Sequence, residues 1–129
     1  MTEGEWADLV QALHQTEAGI AADAAERVHQ QASAEDLPRL LVLLDDDDVL
    51  LREAAAWPVL ELAGPSLLHP VLLAYQRGLD EGYDNDGFTA ALIDLATSDP
   101  VRCRAALLPL TESPVATLRE NAAWLLTFC

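Results

Sequence analysis

The chain is poor in the residues that would tie it to several large protein classes. It has no lysine, so seven arginines supply every basic side chain against 22 Asp plus Glu, for a formal net charge of −15. That excess excludes a surface laid along a phosphate backbone, where cations must neutralise the charge, and nucleic acid is not an expected partner. Cysteine is scarce as well. Cys103 and Cys129 are the two present, too few for a disulfide framework, and they read as free thiols of a reducing compartment with no neighbouring motif to activate either. No apolar run reaches the roughly 18 residues that span a bilayer. The run Leu40 to Leu44 stops at four aspartates. The start, Met1-Thr2-Glu3-Gly4-Glu5, lacks the basic and apolar regions of a secretory signal, so the expected location is cytoplasmic, with no membrane partner.

Chemistry-bearing motifs are equally thin. The three histidines, His14, His29 and His69, have neither the close spacing nor the neighbouring cysteines of a zinc site. There is no glycine-rich phosphate loop and no nucleophile elbow. Asp84-Asn85-Asp86-Gly87 has the composition of a calcium loop, but the twelfth position is Ile93 rather than a glutamate, which removes the bidentate ligand such a loop needs. Asp45 to Asp48 read as a solvated turn that complements the dipole of the helix after it. The expectation is a protein that is not an enzyme, with no catalytic residues, no cofactor and no metal.

What is present is helix-forming. Leucine and alanine contribute 24 and 22 of the 129 residues, and 51% of the chain is hydrophobic, far too much for a disordered acidic tail. Trp6, Leu9, Val10 and Leu13 follow helical spacing, giving a first helix over 3–14. A second, alanine-rich helix is expected over 17–32. Ser33 with Asp36 reads as a capping box before Leu37 to Leu44. The aspartates then open a helix from Val49 to Leu62, closed by Gly64-Pro65. Further helices are expected from Pro65-Ser66 to Gly78, from Phe88 to Ala96, from Pro100 to Leu110 and from Val115 to Phe128, with one acidic loop over 79–87. No segment alternates with period two. The fold class is all-α.

Self-similarity carries more information than periodicity. Leu51-Arg52-Glu53-Ala54-Ala55-Ala56-Trp57 recurs as Leu118-Arg119-Glu120-Asn121-Ala122-Ala123-Trp124, six of seven positions matching at a spacing of 67. Each copy follows a turn, Asp47-Asp48-Val49 or Ser113-Pro114-Val115, and Ser98-Asp99-Pro100-Val101-Arg102 is a third turn of the same kind. The pattern resembles the HEAT-repeat family of α-solenoids, with Pro58 and the acidic loop as departures. The resemblance implies about four antiparallel helical hairpins: an atypical capping pair over 1–32 and repeats over 33–64, 65–97 and 98–129. It also implies that the alanines pack between helices while Arg52 and Arg119 pair with acids of the turns.

If Leu51, Ala55 and Ala56 face the core, then Glu53, Trp57 and Glu61 share another stripe, and Glu120 and Trp124 hold the matching places. Second helices line one surface of a solenoid, so these residues suggest an acidic groove with two tryptophan anchors; the alternative is that both indoles are wedged between adjacent hairpins. Tyr83, Asp84 and Asp86 add a loop suited to partner contact. The functional expectation is a protein-binding module for a basic partner, such as a stoichiometric inhibitor or immunity protein. Two alternatives stay open. One is a chaperone or lyase-type protein assisting cofactor attachment; the other is a structural repeat protein, monomeric or weakly self-associating.

Overall fold

A computed structural model describes residues 1–129. Eight α-helices follow one another without a strand: α1 (Glu3–Leu13), α2 (Ala18–Gln31), α3 (Leu37–Leu44), α4 (Val49–Ala63), α5 (Leu68–Asp80), α6 (Asp86–Ser98), α7 (Pro100–Leu107) and α8 (Ala116–Leu126). Tight 3-10 turns at Ala34–Asp36, Gly64–Leu67 and Leu108–Glu112 join some of them. No helix is long and apolar enough to cross a membrane.

Polar side chains start several helices. The Thr2 hydroxyl accepts from the Glu5 N–H at 3.1 Å, and Asp36 accepts from the Ser33 N–H at 2.9 Å in the expected capping box. Of the four aspartates, Asp48 is the cap proper, accepting from the Leu50 N–H at 2.9 Å, while Asp46 accepts from the Asp48 N–H at 2.8 Å. Prolines explain where the boundaries differ from the sequence reading. Residues 64–67 wind as a 3-10 turn, so α5 begins at Leu68 and Pro70 falls in its first turn, where a missing N–H leaves no helical bond unmade. α7 ends at Leu107 rather than Leu110: Leu108 keeps helical angles, but Pro109 has no N–H to continue the helical ladder, and the chain tightens into a 3-10 turn.

A single apolar cluster runs through the molecule, and α4 is its centre. Leu51, Ala55 and Ala56 are fully buried, as their spacing requires. The small side chains let α4 pack closely on α2, α3 and α6. In the second copy Leu118 and Ala122 are buried, while Ala123 is exposed. One expected pairing is altered. α5 makes its principal contacts with α8 and α4 rather than with α6, its successor in the 65–97 unit.

The repeated arginines also differ from expectation. Arg52 is completely buried, and its Nη1 donates to the backbone carbonyls of Asp46 and Asp47 at 2.9 and 3.0 Å rather than to their carboxylates. Its Nη2 donates to Glu81 from the end of α5. The acids of the turn face Arg77 instead, with Asp47 Oδ1 at 2.9 Å. Arg119 repeats the backbone contact, donating to the Ser113 carbonyl at 2.9 Å, but it is exposed and has no carboxylate partner. The physical reason is common to both. A carbonyl at a tight turn cannot join a helical ladder, and a guanidinium six residues on supplies the missing donor.

Candidate functional site

The α4 stripe of Glu53, Trp57 and Glu61 faces away from the core residues of the same helix, and α2 and α6 flank it. Between α2 and α4 runs a groove of about 440 Å³, lined by Ala21, Ala22 and Ala25 of α2 and by Glu53, Ala54 and Trp57 of α4. The groove exists because these facing positions are alanine; longer side chains would fill it. Trp57 also borders a second groove of about 330 Å³ between α4 and α6, which reaches Glu61, Asp94 and Arg102. Trp57 is therefore a half-buried ridge between two concavities.

Glu53 is half-buried and leans on the start of α6, where it accepts from the Gly87 N–H at 2.9 Å. The approach is close enough that a Cβ on Gly87 would fall 2.0 Å from Glu53 Oε1. Burial raises the carboxyl's pKa above its ordinary value; the Gly87 hydrogen bond opposes this, and the nearby charges of Asp84 and Asp86 add to the rise. Glu61, on the exposed end of the stripe, accepts from the His29 Nε2 at 2.7 Å, and the His29 ring lies 5.7 Å from the Trp57 ring.

Trp57 thus links the groove of Glu53 to that of Glu61, and Asp84 and Asp86 lie close enough to act on the charge of Glu53 without lining either groove. The structure does not join the remaining candidates to them in one groove. Tyr83 is exposed and Glu120 is exposed, and neither lines a concavity. Trp124 stacks on Tyr75 of α5, with ring centroids 5.5 Å apart and planes within 2°, and meets Phe128 edge-on at 5.6 Å. The expected two-tryptophan groove is corrected by this geometry. α5 packs on α8 and stacks Tyr75 on Trp124, which lines neither groove, whereas Trp57, equally half-buried, borders both.

Sequence reasoning missed the α2 side of the site. Ala22, Ala25 and Glu26 line the groove beside His29. The signal was available, since the run from Ala18 to Ala25 is short-chained on two faces of the helix, more than one buried stripe needs. No group of three or more His, Cys, Asp or Glu side chains is placed to hold a metal. Cys103 is buried and free, and burial first, then the neighbouring Cys129, pushes its thiol up to about 11. Comparison of the chain with protein-family models, with curated proteins and with solved structures finds no match.

Proposed function

We propose that the chain is a non-catalytic protein-binding module whose acidic surface holds a basic partner, in the manner of a stoichiometric inhibitor. The observation that carries this reading is the surplus of carboxylate without a cationic partner, of which Glu26, Glu53 and Asp94 line the two grooves beside Trp57. Seven of the 22 side-chain carboxylates lie within 4.0 Å of an arginine, histidine or N-terminal nitrogen, which leaves 15 without one. A field of that sign speeds the approach of a cationic protein and repels an anionic one. On this reading the architecture is a short α-solenoid whose second helices line the binding surface. The direct packing of α2 on α4 and of α4 on α6 supports it, as does the turn contact shared by Arg52 and Arg119. α5, which prefers α8, is where the row departs from regular hairpins.

The test is capture of a partner at low salt, followed by stopped-flow association of the purified pair. The expected result is a 1:1 complex with a protein of net positive charge. Its association rate falls by tenfold or more as ionic strength rises from about 0.02 M to about 0.5 M. A partner of net negative charge, or a rate indifferent to salt, overturns the reading. Self-association is the second reading, favoured by Val101, Leu108 and Val115, which are 79%, 51% and 50% exposed near the final pair of helices. Light scattering across a dilution series decides it: a mass that stays monomeric removes it.

A further inference from the structure

We infer that the groove between α2 and α4 is the seat of a basic amphipathic segment of the partner protein. An aliphatic side chain of that segment rests on the alanine floor, and a lysine or arginine head meets Glu53. This rests on the acidic-module reading and narrows it to one place and one chemistry. Ala21, Ala25 and Ala54 leave an apolar concavity of about 440 Å³ open to solvent, a size that accepts side chains or a small ligand. Beyond Trp57 the second groove continues across α4 to α6. Together the two cross three helices, which favours a length of polypeptide over a single small molecule.

Charge selects the sign of the occupant. Glu53 is half-buried, hydrogen-bonds only the Gly87 N–H and has no arginine or histidine partner. Asp84 and Asp86 add like charge beside it, and Glu26 stands on the opposite wall. A carboxylate held out of water among other carboxylates gains when a cation arrives. The indole of Trp57, four residues along the same helix, offers a face to a guanidinium or to the methylenes below an ammonium. Laying an apolar face into such a groove is a common mode of peptide recognition.

The test is a low-salt amide and indole NMR titration of the full chain. The probe is a synthetic peptide of leucine and lysine spaced as an amphipathic helix, with hexalysine as the control lacking an apolar face. Saturable shifts are expected at Ala25, Ala54, Gly87 and the Trp57 indole, with hexalysine binding about tenfold more weakly. Two variants separate the floor from the carboxylate: Ala22→Trp, at an exposed position that fills the groove, and Glu53→Gln. Each is expected to weaken the peptide by about tenfold or more, while Glu112→Gln, which removes an equal charge elsewhere, changes binding less than about twofold. Equal affinity for hexalysine, shifts confined to other surfaces, or indifference to Ala22→Trp overturns the inference. The same shifts on concentrating the protein alone would assign the groove to a second copy, and that also overturns it. Failure of the amphipathic peptide to bind removes this seat, whereas the wider reading falls only if the captured partner's association ignores salt.

Discussion

Replacing Arg52 by methionine should separate the buried arginine of the first repeat from its exposed counterpart in the second. The methionine keeps most of the apolar stem and removes the guanidinium. Two turn carbonyls, Asp46 and Asp47, then lose a charged donor, and Glu81 loses its buried partner. Removing one member of a buried ionic group costs about 3–5 kcal/mol. Two features place Arg52→Met at the low end of that range. Glu81 sits near solvent and can be rehydrated, and the buried Nε of Arg52 has no acceptor, a penalty that methionine removes. About 3 kcal/mol is the working figure. An unfolding entropy of about 2.1 cal/mol/K per residue over 129 residues converts this to a fall in Tm of about 11 °C. Arg119→Met removes one exposed contact to a single carbonyl, worth about 0.5 kcal/mol and about 2 °C. Thermal melts at neutral pH followed by far-ultraviolet circular dichroism, with urea titrations to confirm an unchanged m-value, provide the comparison. If the two variants shift Tm equally, the buried turn contact is not what fixes α4 to α5, and the reasoning fails.

Three further outcomes follow from the same contacts. Hydrogen bonding to Arg52, chiefly, holds the Glu81 carboxyl below its ordinary pKa. Its contribution to stability is present above the unfolded value, near pH 4.5, and is lost as pH falls through the folded value, so Glu81→Gln should flatten the acid limb of a stability–pH curve. Glu53 has the opposite sign. Its raised pKa means that the folded state binds the proton more tightly, so its charge disfavours folding above the folded pKa. Glu53→Gln should therefore match or exceed the wild type at neutral pH and lose that advantage in acid, as urea midpoints across pH will show. Gly78→Ala would set a Cβ 2.1 Å from the Asn85 Oδ1, and Asn85 is fully buried with φ of 59° and donates to the Tyr75 carbonyl at 2.6 Å. A loss of about 1–3 kcal/mol is expected in urea unfolding, and an unchanged midpoint would contradict the packing.

Much of the fold was legible because helical punctuation is local. Ser33 with Asp36, and the aspartates ending at Asp48, announce helix starts within three residues of the groups they cap. The 67-residue repeat sets Leu51 and Leu118, both buried, at matching positions, and the resemblance it carries implied that Arg52 and Arg119 would pair with acids of the turns. The acceptors were not legible. Aspartates beside an arginine invite a salt bridge, yet carbonyls at a tight turn have the stronger need of a donor. The candidate groove was half legible. Glu53, Trp57 and Glu61 lie on one helix, so spacing alone groups them. Their partners arrive from 34 residues away, as Gly87 does, or 32, as His29 does. Trp124 departs from the groove for a related reason. Its repeat position equals that of Trp57, but its neighbour is set by α5 packing on α8, which no local pattern records.

The most direct measurement of the central claim is hydrogen exchange on the complex with the purified partner, compared with the free chain. The account expects new protection along α2, α4 and the 84–87 turn, with exchange at α3 and the outer side of α7 unchanged. Protection confined to α3, α5 and α7 would contradict the placing of the binding surface on the second helices.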